Sequence, residues 1–305
     1  MRPVVALFGP TASGKTATAV ALAERAGGEV VAADAMGLYA GLPILTAQPS
    51  AGEHARAPHR LVGIWPLDHE GAVGEYAALA HAAIDQSRAR DRLPILTGGS
   101  GLYLRAALVD LRLPPRVDPV VREACERLYA EQGAGAAHAE LARVDPGAAA
   151  AIHPNDRRRV VRGLELARSG SSLRPDVDRL WNEELRVPAR VFALDWPPDE
   201  LTRRIEARTD AMLDGGALDE VRALLRDGPA PSCTARTIHG LADCVAHVEG
   251  RITREQCRER IVTQTRRYSR RQRVWLRRIP NVHLLAGADG PERNAERILE
   301  TLTRP

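Results

Sequence analysis

The chain is predicted to be an α/β protein: a parallel sheet built around a phosphate loop, with an all-helical lobe inserted into it. Three observations lead there. Gly9-Pro10-Thr11-Ala12-Ser13-Gly14-Lys15-Thr16 fits the G-x-x-x-x-G-K-[ST] loop and follows the strand-like run Val4-Val5-Ala6-Leu7-Phe8. Apolar runs of strand length then alternate with longer helical patterns, the mark of a parallel sheet with crossover helices. Composition shifts at Leu113-Pro114-Pro115-Arg116, after which Asp118 to about Arg186 shows helical patterns and no convincing strand. The expected division is a nucleotide-kinase-like core of residues 1–112 and 187–305 around a lobe of residues 113–186.

The phosphate loop supplies its own chemistry. Its glycines let backbone N–H groups close around an anion, the helix starting near Gly14 points its positive end there, and Lys15 and Thr16 add a mobile cation and a metal-ligand hydroxyl. A plain glycine turn before a helix is the bland alternative; the strand, the spacing and the helical pattern Ala17, Ala21, Leu22 all favour the loop. Lys15 is also the only lysine among 43 basic residues. A chain that uses arginine everywhere else keeps lysine where a compact charge on a thin stem must reach between phosphates.

Glu29-Val30-Val31-Ala32-Ala33 reads as a second strand ending at Asp34. Residues at the carboxyl ends of such strands face the ligand crevice, although a helix-capping role suits Asp34 equally well by pattern. Asp34-Ala35-Met36-Gly37-Leu38-Tyr39 leads into a loop with Thr46-Ala47-Gln48-Pro49. Arg60–Ile64 is a short strand candidate, residues 73–90 an alanine-rich helix, and Leu93–Thr97 the next core strand. That strand enters Gly98-Gly99-Ser100-Gly101-Leu102-Tyr103, a second glycine-rich turn that places another helix N-terminus at the same sheet edge.

In the lobe, helices are expected over Asp118–Glu131, Ala136–Arg143 and Asp156–Ser169. Arg157, Arg158, Arg159 and Arg162 lie near the start of the third, where they oppose the helix dipole; they suit an external anion or a solvated face. Arg190–Leu194 returns to strand, followed by a helix from Asp199 to Asp214. There Leu201, Ile205, Arg208 and Met212 share one helical stripe, which puts Arg208 on the apolar face and demands a carboxylate or a bound phosphate beside it. Further helices are expected over 216–226, 236–249 and 253–278, with a late strand over Asn281–Leu285. Eleven arginines against Glu255 and Glu259 crowd Arg251–Arg278, interleaved with Tyr268 and Trp275. That mixture suits a nucleic-acid surface, and Trp275 alone suits a core anchor as well.

At 305 residues the chain can bury a large core plus a smaller lobe. No run approaches the roughly 18 apolar residues of a membrane span, so no membrane partner is expected. The phosphate loop begins after eight residues, leaving no room for a signal peptide; a cytoplasmic protein is expected. Cys125, Cys233, Cys244 and Cys257 show no C-x-x-C spacing and the nine histidines no cluster, so reduced structural thiols and no zinc site are expected.

With these residues assembled, the chain resembles the bacterial tRNA dimethylallyltransferase family. The resemblance rests on Gly9–Thr16, Asp34-Ala35-Met36 with Tyr39, Pro58-His59-Arg60-Leu61, Gly98–Tyr103, His153-Pro154-Asn155-Asp156, Asp210-Ala211-Met212-Leu213 through Glu220-Val221, and Arg271-Gln272 with Trp275. It implies transfer of a dimethylallyl group from dimethylallyl diphosphate to the exocyclic amine of the adenine 3′ to the anticodon in tRNA. By this resemblance Gly9, Thr11, Ala12, Ser13, Gly14, Lys15, Thr16 and Arg208 hold the diphosphate, with Mg2+ bound through Thr16. Asp34 takes the amine proton, with Lys15, Thr16 and Arg208 completing the catalytic set. Asp34, Ala35, Met36, Gly37, Ser100, Arg158, Arg159 and Arg162 meet the anticodon stem-loop, and a monomer is expected.

The chain departs from the family pattern at Ala35 (serine), Gly37 (glutamine), Gln48 and Ala242 (basic residues) and Thr209 (an aromatic), which bears on base recognition more than on the diphosphate. Three rivals share parts of the pattern: an adenylate dimethylallyltransferase, a phosphate-loop nucleotide kinase, and an inactive tRNA-binding relative. Lys15, Asp34 and Arg208 together argue against the last.

Overall fold

A computed structural model describes residues 2–111, 117–173, 184–279 and 281–303; the composition shift at Leu113–Arg116 lies outside them. The chain forms two compact units, Met1–Asp110 with Glu183–Pro305, and Leu111–Asn182.

The first unit is built on six strands, β1 (Val4–Phe8), β2 (Gly28–Ala32), β3 (His59–Arg60), β4 (Leu93–Gly98), β5 (Ala189–Asp195) and β6 (Val282–Ala286), in the order β3-β2-β4-β1-β5-β6. Every pairing is parallel. β1 is buried along its whole length, as its uninterrupted apolar run requires of a central strand covered on both faces. Phe8 pairs with Gly98 on one side and Ala193 on the other, so the loop after β1, the turn after β2 and the glycine turn after β4 leave the sheet along one edge.

α1 (Lys15–Ala26) and α12 (Gly290–Thr303) pack on each other, burying Val20, Leu22 and Ile298 with Val5, Leu7, Ile95 and Phe192 of the sheet. α2 (Ala51–Arg56) is a single capped turn region, and α3 (Val73–Ala89) and α4 (Gly101–Leu108) pack together and on β4. Neither α2 nor α12 is anticipated by the motif reading. α8 (Pro198–Asp214), α9 (Ala217–Asp227), α10 (Leu241–Val248) and α11 (Arg254–Leu276) complete this unit.

Two expectations are corrected here. The strand over Arg60–Ile64 shrinks to His59–Arg60 because Leu61 (φ 60°) and Gly63 (φ 58°) turn left-handed and end the extended run. The helix over 236–249 starts only at Leu241, since Gly240 sits at φ 84° and a short 3-10 turn precedes it.

The second unit is helical among its described residues: α5 (Pro119–Val144), α6 (Pro146–Ala151) and α7 (Arg157–Arg168). The two helices expected over 118–143 meet within α5 at Gly133, whose φ of 82° and ψ of 172° break the turn. Asp118, Asp145 and Asp156 each accept a backbone N–H at a helix start. Leu141, Ile152, Val160 and Leu164 form the core, and Gly163 lets α7 approach closely, since a Cβ there would lie 2.9 Å from Leu141 Cδ1.

Candidate active site

The phosphate loop is fastened to the surrounding elements at Thr11, Ala12 and Ser13. A Cβ on Gly9 would stand 2.7 Å from Ser13 Oγ, and Gly14 at φ 92° adopts a backbone that side chains resist. Ala12 is also left-handed (φ 67°); its methyl packs on Leu201, Ile205 and Val262 while its carbonyl accepts from Arg204 Nε at 2.9 Å. The Arg204 guanidinium stacks 4.2 Å from the Trp196 ring, whose Nε1 donates to the Ser13 carbonyl at 2.9 Å. Thr11 N–H donates to Gln272 Oε1 at 2.9 Å, so its amide shapes the loop and does not point at the open side. No side chain caps α1 at Gly14, which leaves the first N–H groups of the helix available to an anion.

A cavity of about 490 Å³ opens above the loop. Ala12, Ser13, Gly14, Lys15 and Thr16 line it from below, Arg204 and Arg208 from α8, and Gln48 and Glu53 from the opposite wall. Of the residues expected to hold a diphosphate, the structure thus gathers five with Arg208, while Gly9 lies beneath the loop. Lys15 Nζ donates to the Pro10 carbonyl at 2.8 Å, and burial lowers its pKa to about 8 against the opposing pull of Asp34.

Arg208 requires a correction. The buried stripe of α8 is Leu201, Ile205, Thr209 and Leu213, not the one through Met212, so Arg208 is not on the apolar face. It stands exposed at the cavity, and no hydrogen bond or ion pair within 4 Å holds it among the described residues. Desolvation by surrounding protein lowers its pKa, and Asp34 opposes this. Thr209 takes the buried place, its hydroxyl bonded back to the Ile205 carbonyl.

Asp34 is placed by the end of β2. The Tyr76 hydroxyl donates to the Ala32 carbonyl at 3.0 Å and Ala33 N–H to the Thr97 carbonyl at 2.7 Å. Asp34 Oδ1 accepts from Met36 N–H at 3.0 Å, closing a turn through Ala35, Met36 and Gly37; this is an Asx-turn and no helix starts there. Desolvation lowers the pKa of Lys15, Arg208 and His239, and the Asp34 carboxylate opposes this in each, so three basic groups share its field. His239, which sequence reasoning passed over, lies 4.6 Å ring to ring from Tyr268 of α11, and Arg271 sits over the Tyr268 ring at 5.7 Å. No local pattern marks His239.

The opposite wall is held by two side chains. Glu220 of α9 accepts from Ile44 N–H at 2.7 Å and Leu45 N–H at 3.0 Å, and Gln48 Nε2 donates inward to the Tyr39 carbonyl at 2.7 Å. Ala242 is exposed on α10.

The second glycine turn owes its glycines to packing. A Cβ on Gly98 would lie 2.0 Å from the Ala33 carbonyl oxygen, one on Gly99 2.0 Å from Gln272 Nε2, and one on Gly101 2.2 Å from the Trp275 ring. Trp275 is therefore an anchor of α11 against this turn. Ser100 is the N-cap residue of α4 without a side-chain cap bond. Arg158, Arg159 and Arg162 belong to the second unit, on α7, where Arg159 pairs with Asp156 at 3.8 Å and Arg162 with Glu165 at 2.8 Å.

For a metal, no group of three or more His, Cys, Asp or Glu side chains is arranged as a ligand set among the described residues. Among the described residues, the hydroxyls lining the cavity are those of Thr16 and of Ser13, whose Oγ is buried and unpartnered. Hard hydroxyl oxygens beside an anion cradle fit Mg2+, which binds largely through phosphates and water. No helix described is long and apolar enough to cross a membrane.

The family model described as IPP transferase matches residues 37–279, and that described as isopentenyl transferase matches residues 2–61. The tRNA dimethylallyltransferase of Anaeromyxobacter sp. (strain K) is 46% identical over 299 residues, covering 97% of each chain. Among solved structures, the full-length tRNA isopentenylpyrophosphate transferase from Bacillus halodurans superposes with a TM-score of 0.70 at 32% identity, covering 99% of this chain and 97% of that one. A eukaryotic dimethylallyltransferase acting on tRNA gives 0.78 at 25% identity, covering 98% and 78%. The ordered motifs, the parallel phosphate-loop core and near full-length identity agree, and the chain belongs to the IPP transferase family, that of the tRNA dimethylallyltransferases.

Proposed function

We propose that the protein transfers the dimethylallyl group of dimethylallyl diphosphate to the exocyclic amine of the adenine 3′ to the anticodon in tRNA, releasing diphosphate. One observation carries this: Lys15, Arg208 and the uncapped start of α1 converge on one cavity with the Asp34 carboxylate in their field. The diphosphate occupies the cradle of Ala12–Thr16. The amine nitrogen attacks the allylic carbon, the carbon–oxygen bond breaks with its electron pair passing to the diphosphate, and Asp34 takes the proton. Lys15 and Arg208 stabilise charge gathering on the leaving group, a preorganised electrostatic contribution. Mg2+, held by Thr16 and the diphosphate, would supply further charge neutralisation.

Ala35, Met36 and Gly37 flank the general base and, with Ser100, meet the acceptor nucleotide, while Arg158, Arg159 and Arg162 contact the RNA backbone. An adenine at that place is reached without opening a duplex, because the anticodon loop is single-stranded. The protein acts in the cytoplasm as a monomer.

Incubation with labelled dimethylallyl diphosphate and either bulk tRNA or AMP tests this directly. Label is expected in tRNA and not in AMP. Label in AMP alone makes the protein an adenylate dimethylallyltransferase, and phosphoryl transfer from ATP without prenyl transfer makes it a kinase.

A further inference from the structure

We infer that Gln272 is a positioning residue for this reaction: its one buried amide bridges the phosphate loop to the second glycine turn and so ties the shape of the diphosphate cradle to helix α11. The inference rests on the prenyl-transfer reading above. Gln272 is only 2% exposed, and both ends of its amide are used, Oε1 by Thr11 N–H at 2.9 Å and Nε2 by the Gly99 carbonyl at 2.8 Å. One partner is a donor and the other an acceptor, so the amide has a single satisfactory orientation. Residue 99 must be glycine for it to seat there, since a Cβ would lie 2.0 Å from Nε2.

The same helix carries the acceptor side. Tyr268, one turn earlier, lies in the field of Asp34, and Arg271 covers its ring. Arg266, Arg267 and Arg270 are exposed, with no ion pair among the described residues. Removing the amide strands a buried N–H on the phosphate loop and a buried carbonyl on the glycine turn. The loop then relaxes, and the donors around the diphosphate lose their alignment, an error that costs about a hundredfold in rate for about 1 Å of displacement. RNA affinity, set by charges on the outer face, is untouched.

The test compares Gln272→Met and Gln272→Glu with the parent. Turnover of an anticodon stem-loop, stem-loop Kd without donor, and binding of inorganic diphosphate by calorimetry are each measured, with circular dichroism and Tm reporting folding. Gln272→Met is expected to lower kcat by about a hundredfold and weaken diphosphate binding, with stem-loop Kd within about twofold of the parent. Gln272→Glu is expected to fail at about pH 8 and recover as pH falls toward about 5.5, because only the protonated carboxyl both donates to Gly99 and accepts from Thr11. The neighbouring Tyr268, the groups acting on it, Asp34, Arg271 and Tyr103, and Lys15 of the phosphate loop are common to all three proteins. Dividing each rate by the parent rate at the same pH removes their contribution.

Normal turnover in Gln272→Met overturns the inference. So does a folded Gln272→Glu that shows no recovery at low pH, or a stem-loop Kd that weakens while kcat holds, which would make Gln272 an RNA contact. Should Gln272→Met fail to fold, the pH recovery of Gln272→Glu decides alone. A parent that binds diphosphate but prenylates no RNA defeats the prenyl-transfer reading instead. The calorimetric comparison of the variants then still tests the strut, and equal affinities defeat it.

Discussion

At the scale of single residues the site depends on where Lys15 loses its proton. Burial lowers its pKa from 10.5 to about 8, so in the free protein the ammonium is lost as pH rises through about 8. A bound diphosphate stabilises the cation and raises that pKa. Affinity for dimethylallyl diphosphate should therefore be level below about pH 8 and fall above it, approaching about tenfold per pH unit. Calorimetry across that range checks this. Lys15→Arg should bind weakly at every pH with no such break, since a guanidinium neither titrates there nor fits the space of an ammonium; parental affinity in this variant would defeat the role given to the lone lysine. Asp34→Asn should keep the fold and stem-loop binding but lower turnover by about a hundredfold or more, the usual scale for a lost general base. Lys15 and Asp34 were legible because spacing to a strand end marks them. The place of Arg208 is not legible, because helical spacing does not tell the Met212 stripe from the Leu213 one, and only packing separates them.

Between elements, the glycine turn after β4 shows how a glycine-rich motif can be required for reasons of space. Gly98→Ala would put a methyl 2.0 Å from the Ala33 carbonyl oxygen, and that oxygen belongs to the end of β2 that positions Asp34. Backbone on both sides leaves nowhere to yield, so the variant should lose about 3 kcal/mol, the upper end of overpacking. Gly37→Ala meets nothing nearer than the Asp34 carbonyl at 4.0 Å and should stay within about 0.5 kcal/mol of the parent. Urea denaturation of the two variants makes the comparison, and equal midpoints would refute it. Strand order along the chain was readable because each core strand is an apolar run with turn residues at its ends. The struts between elements were not. Gln272 meets Thr11 across 261 positions, and Arg204 meets Ala12 across 192, separations that no local periodicity encodes.

Over the whole molecule, the sequence displays a density of arginine but not which arginines are spoken for. Toward the start of α11, Arg254 pairs with Asp214, Arg258 with Asp210 and Arg260 with Asp243. Further along, Arg266, Arg267 and Arg270 are exposed without an ion pair among the described residues. On α7, Arg157 pairs with Glu126, Arg159 with Asp156 and Arg162 with Glu165, leaving Arg158 as the unpaired member of that group among the described residues. An arginine that must give up a carboxylate to take a phosphate gains less than a free one, so the two groups should differ in what they contribute to RNA binding. Each neutralised phosphate adds roughly 0.7 to 0.9 to the slope of log affinity against log salt. Stem-loop binding by the parent should therefore weaken steeply with salt. Replacing Arg266, Arg267 and Arg270 together by alanine should flatten the slope by about 2, and replacing Arg158, Arg159 and Arg162 should flatten it by about 1. Neither triple variant should change affinity for dimethylallyl diphosphate, because none of these six arginines lines the cavity of Lys15 and Arg208. AMP, with one phosphate, should show a shallow slope that neither triple variant alters. If both triple variants keep the parental slope and AMP is prenylated as efficiently as the stem-loop, these arginines are a solvated face and the free nucleotide is the acceptor.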